Sequence, residues 1–62
     1  MNIPNYYVEF CYVDGCNDTY WYHNSEDAIN HAELFRGDDS GLYESIKVWN
    51  YESDKLLSEI VF

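Results

Sequence analysis

Apolar and aromatic positions divide the chain into five stretches. Residues 6–13 concentrate tyrosine, valine, phenylalanine and cysteine around a single glutamate and predict a strand. Asp14-Gly15 follows at once and suits the positive φ angles of a type I′ turn, so the chain is expected to reverse into a second strand over residues 17–23. A longer loop running through Cys16 to Asp18 is the alternative. Asn24 or Ser25 can cap a helix whose first turn carries Glu26 and Asp27 at the positive end of its dipole. That helix is expected to run to about residue 36, with Ala28, Ile29, Ala32 and Phe35 on one stripe and Glu26, Asn30, Glu33 and Leu34 pointing elsewhere. Gly37 ends it and residues 38–41 form a loop. A period of two returns over residues 42–51, where Ile46 and Val48 alternate with Lys47 and Trp49. Residues 52–54 make a turn into a fourth strand over 55–62, so the last residues belong to the fold.

The order ββαββ predicts an α+β protein: one domain over residues 1–62, with a four-stranded, mainly antiparallel sheet and one helix packed on one face. Strand order is left open by the pattern. Sixty-two residues bury only a thin core, so a folding free energy of roughly 3 to 9 kcal/mol is expected. Hydrophobic residues make up 47% of the chain and aromatics 19%, which separates it from acidic disordered tails.

Alternation assigns faces. With an even-length first loop, Val8, Phe10 and Trp21 share the core face with Ile46, Val48 and alternate residues of the fourth strand, beneath the helix stripe. The opposite face then collects Tyr7, Glu9, Cys11, Asp18, Tyr20, Tyr22, Tyr43, Lys47, Trp49 and Tyr51 and meets water. Two readings of these rings stand side by side. Tyrosine favours strands and stacks with cross-strand neighbours, which needs no function; exposed Tyr and Trp also supply the large, rigid contact areas that dominate binding surfaces. Leu34, off the buried stripe, adds to the second.

Charge sharpens that choice. Twelve carboxylates face only Arg36, Lys47 and Lys55, a formal net charge of -9. Such a field repels nucleic acid and anionic lipid and attracts basic protein surfaces, although acidity also serves solubility alone. No apolar run is long enough to span a bilayer, and the first residues lack the basic and apolar regions of a signal peptide, so a cytoplasmic location is expected.

Little in the sequence suggests catalysis. Cys11 and Cys16 flank the first turn; free thiols are the leading expectation, with a cross-hairpin disulfide or metal ligation as alternatives. A zinc site would need His23 and His31 as well, and these fall on different elements. No nucleophile motif, phosphate loop or metal-binding carboxylate signature occurs, so neither an enzyme nor a cofactor is expected. Glu26-Asp27 and Asp38-Asp39 read as charge at a helix start and in a loop.

In size, acidity and its seven tyrosines and two tryptophans, the chain resembles the small acidic inhibitor proteins encoded by phages and mobile elements, including anti-CRISPR proteins and other DNA mimics. The resemblance implies a non-catalytic inhibitor that blocks a basic nucleic-acid-binding groove of a nuclease or nucleoprotein complex, such as a CRISPR effector, without touching nucleic acid or membrane itself. The residues themselves nominate Glu9, Asp18, Glu26, Asp27, Glu33, Asp38 and Asp39 as the acids of such a surface and Tyr7, Tyr20, Tyr22 and Trp49 as its anchors. A protein-interaction or homodimeric assembly module, or an antitoxin-like regulatory partner, is the alternative.

Overall fold

The computed structural model describes residues 3–62. Strand β1 (Tyr6–Tyr12), strand β2 (Asn17–Tyr22), helix α1 (Ser25–Glu33), strand β3 (Tyr43–Asn50) and strand β4 (Lys55–Val61) follow one another in the expected order. All neighbouring strands are antiparallel, and the sheet runs β2-β1-β3-β4. Because β2 and β3 both oppose β1, they are parallel to each other. Helix α1 carries the chain from one to the other across a single face, a split βαβ unit with β1 in the gap.

Local chemistry accounts for the helix. Asn24 adopts extended backbone at φ −137°, and its side-chain oxygen accepts the Asp27 N–H at 2.8 Å, relieving one of the free amides of the first turn. The regular helix stops at Glu33, short of the expected end. Phe35 and Arg36 continue with tighter bonds, Phe35 N–H to Ala32 O at 3.1 Å and Arg36 N–H to Glu33 O at 3.2 Å. That tightening keeps Phe35 on the buried stripe, its ring 5.1 Å from Phe10 and 5.5 Å from Tyr43.

The core lies between α1 and the two central strands. Val8, Phe10, Ile46 and Val48 from β1 and β3 meet Ala28 and Ala32 of the helix, with Ile60 from β4 closing one side. The alanines let the helix approach the sheet closely. Tyr6, Tyr12, Tyr22, Ile29, Phe35 and Tyr43 form a half-buried collar around this centre.

The expected first turn is corrected. Its loop has three residues, Val13, Asp14 and Gly15, closed by Gly15 N–H on Tyr12 O at 3.0 Å and Tyr12 N–H on Cys16 O at 2.9 Å. Gly15 takes φ +92°, the left-handed position that follows a type I turn in a three-residue hairpin. One residue more than the type I′ loop moves the register by one, and in a strand that turns every side chain over. Val8 therefore opposes Tyr20, Phe10 opposes Asp18 and Tyr6 opposes Tyr22, while Tyr7 opposes Trp21. Trp21 is not in the core, and Asp18, Tyr20 and Tyr22 are not on the open face.

Candidate functional site

On the face away from the helix, cross-strand register arranges side chains in rows. Trp21, Tyr7, Trp49 and Leu56 form one row from β2 to β4; Thr19, Glu9, Lys47 and Glu59 form the next; Asn17, Cys11, Ser45 and Val61 form a third. The first row is the aromatic surface. Tyr7 stands between the tryptophans, its ring centroid 4.9 Å from Trp21 and 6.5 Å from Trp49, and Tyr51 meets Trp21 nearly edge-on at 5.4 Å. Trp21 is 48% exposed and Tyr51 65%, so these rings support one another while leaving broad area to water. Trp49 is the more covered of the two tryptophans, and its indole N–H is buried without an acceptor among the described residues.

Asn5 pins the chain beside this row. It receives Tyr51 N–H on its carbonyl at 2.8 Å and Glu52 N–H on its side-chain oxygen at 3.1 Å, tying the segment before β1 to the β3–β4 turn. Ile3 and Pro4 are thereby held against Trp21 and Tyr51, and the four line an open hollow of about 320 Å³. Burial first, then the negative charges of Glu9 and Asp54, raise the Tyr7 hydroxyl above its ordinary value. Those two carboxylates thus lie within electrostatic reach of the aromatic row.

The expected site residues separate into two groups. Tyr7, Glu9 and Trp49 share the open face, as alternation requires. Tyr20 and Tyr22 turn toward the helix. The Tyr22 hydroxyl lies 2.6 Å from His31 Nδ1, and Tyr20 packs edge-on against Phe10 at 5.5 Å and His31 at 5.1 Å. Tyr43, also expected on the open face, instead packs against Phe10, Tyr12 and Phe35, because an irregularity between Cys11 and Tyr12 pairs Tyr12 directly with Tyr43. Asp18 accepts the Tyr12 hydroxyl at 2.6 Å, a bond that pushes the Tyr12 pKa up to about 12.

The remaining acids lie on the helix and its loops. Glu26 and Asp27 occupy the first turn of α1, with Asp27 tied to its cap. Glu33 is held low in pKa chiefly by its hydrogen bond to Arg36, a two-pronged contact with one arm at 2.7 Å. Asp38 is lowered by Ser40, which donates from both its hydroxyl and its N–H, and Asp39 follows in the same loop. The acids of the helix and its following loop are consequently on the other side of the sheet from the aromatic row, on whose side Glu9 and Glu59 lie, with Glu52 and Asp54 in the adjoining turn. Residue-level reading missed Trp21 as a contact residue. The one signal for it is the Gly at position 15, which serves a three-residue loop as well as a two-residue one.

Both cysteines are free thiols. Cys11 lies on the open face, whereas Cys16 sits in the exposed turn, where Asp14 raises its pKa through a hydrogen bond and its charge. That direction suppresses the thiolate. Among the described residues no group of three or more His, Cys, Asp or Glu side chains is placed to hold a metal ion, and no helix is long and apolar enough to cross a membrane. Compared with known proteins, the chain matches no family model, no curated protein and no solved structure.

Proposed function

We propose that this chain is a non-catalytic binding protein that docks on a basic groove of another protein or nucleoprotein and keeps nucleic acid out of it, in the manner of an anti-CRISPR inhibitor. The observation that carries the reading is the aromatic row in which exposed Trp21 and Tyr51 are braced by half-buried Tyr7 and Trp49, on a scaffold of net charge -9. Exposed, mutually braced aromatics bring contact area at low entropic cost, while the surrounding carboxylates speed encounter with a cationic surface and select against anionic ones. Glu26, Asp27, Glu33, Asp38 and Asp39, on the helix side, add to the long-range field rather than to the aromatic contact.

The test is capture of CRISPR effector complexes by the immobilised protein at graded salt. Binding that weakens as salt rises and is lost on Trp21→Ala supports the reading. No capture, or capture indifferent to ionic strength, refutes it. A second reading, assembly of the chain with itself, is favoured by edge strand β4, where Leu56, Leu57 and Val61 are exposed and are followed by exposed Phe62. Light scattering separates the two, since a salt-insensitive dimer that hides Trp21 would leave the aromatic row unavailable to an outside partner.

A further inference from the structure

The hollow beside the aromatic row has the chemistry to seat one particular side chain. Its walls, from Ile3, Pro4, Trp21 and Tyr51, are almost all carbon and offer a guest no strong hydrogen-bonding partner. Trp21 and Tyr51 cross at 73° with centroids 5.4 Å apart, so they present ring surfaces in two orientations. Acidic residues neighbour the elements that form this apolar floor. Glu52 begins at its rim, its N–H held on Asn5 next to Pro4; Asp54 follows in the same turn; and Glu9 adjoins Tyr7, which braces Trp21 from the other side. Two lysines lie among these acids and are outnumbered by them. Lys47 stands in the adjacent row between Glu9 and Glu59, and Lys55 opposes Asn50, whose strand position faces the helix side.

We propose that this notch receives an arginine side chain from a basic protein partner, its guanidinium laid against the Trp21 ring and its carbon stem against Ile3, Pro4 and Tyr51. The inference rests on the basic-groove reading above and names the anchor through which that contact is made. An aliphatic guest would use the floor and waste the rim. A lysine would bring charge, but its ammonium is compact and strongly hydrated, whereas guanidinium is flat, weakly hydrated and stacks on aromatic faces. An anionic guest is excluded by the carboxylates.

Octa-arginine and octa-lysine are suitable probes, titrated at low ionic strength into the intact, isotope-labelled protein while the two indole N–H resonances are followed. Octa-arginine shifts the Trp21 resonance saturably and the Trp49 resonance far less. It binds about fivefold more tightly than octa-lysine, and Trp21→Ala or Tyr51→Ala removes that advantage. If octa-arginine binds while the Trp21 resonance stays still, or both variants keep wild-type affinity, the notch is not the arginine seat, although the acidic protein still engages basic partners. Equal affinity for the two peptides overturns the guanidinium assignment. If neither peptide binds, the basic-partner reading fails and the seat with it.

Discussion

Replacing Tyr22 with phenylalanine tests the register on which the aromatic face depends. The Tyr22 hydroxyl reaches His31 Nδ1 at 2.6 Å only because β2 turns Tyr22 toward the helix. Burial holds the His31 imidazole below its ordinary 6.5, so near neutral pH the ring is uncharged and Nδ1 can accept the tyrosine proton. The phenylalanine ring keeps the packing against His31, with centroids 5.6 Å apart, and deletes only the donor. The expected loss is about 1 kcal/mol, within the usual range for a hydrogen bond between neutral groups. In a domain of this size that lowers Tm by about 4 to 8 °C. Urea unfolding followed by tryptophan fluorescence measures it, and a double-mutant cycle with His31→Phe should return most of the 1 kcal/mol, approximately, as coupling. The pH dependence has a definite sign. With the folded pKa depressed, the unfolded chain takes up the proton first, so the His31 contribution is present above about 6.5 and is lost as pH falls through the folded value. Imidazolium cannot accept at Nδ1, so the cost of Tyr22→Phe should shrink in acid. A variant as stable as wild type near neutrality, with no coupling to His31, would mean that Tyr22 does not face the helix and that Trp21 does not face water.

Other perturbations probe separate parts of the structure. Ile46 is fully buried between the central strands and the helix, so Ile46→Ala should cost about 2 to 5 kcal/mol, a large share of the roughly 3 to 9 kcal/mol expected, and abolish cooperative thermal unfolding at ordinary temperatures. Gly15→Ala meets no atom within 4 Å, so its cost is backbone strain alone; at φ +92° this should be about 1 kcal/mol, read from the denaturation midpoint. Trp49→Phe removes a buried N–H that lacks an acceptor, which offsets the lost ring area, and should change stability by no more than about 1 kcal/mol in the same assay. Asp18→Asn should return one tyrosine from about 12 toward 10 in a phenolate absorbance titration. Because the Tyr12 pKa is raised on folding, its contribution is complete below about 10 and is lost as pH rises through about 12, so the same variant should also flatten the alkaline limb of the stability profile.

What the sequence by itself determined was the order of the elements and the periodic faces of β1, β3 and the helix. A helix start capped at Asn24 or Ser25, the stripe of Ala28, Ile29, Ala32 and Phe35, the alternation of Ile46 and Val48, and the order ββαββ all follow from spacings of a few residues; the structure agrees with each and takes Asn24 as the cap. Tyr7, Glu9 and Trp49 were legible as open-face residues for the same reason, since the alternation within β1 and β3 is anchored by fully buried Val8 and Val48. Strand order and the facing of β2 were decided only by tertiary structure. Asp18, Tyr20 and Tyr22 on one side and Asn17, Thr19 and Trp21 on the other are both mixtures of polar and aromatic residues, so neither set declares itself buried. Asp14-Gly15 suits a two-residue or a three-residue loop equally well. The choice is made by groups distant in sequence: His31 and Phe10 take the edges of Tyr20 and Tyr22 on the helix side, where Tyr22 is half-buried and Tyr20 stays partly open, and Trp21 falls on the opposite side beside Tyr7.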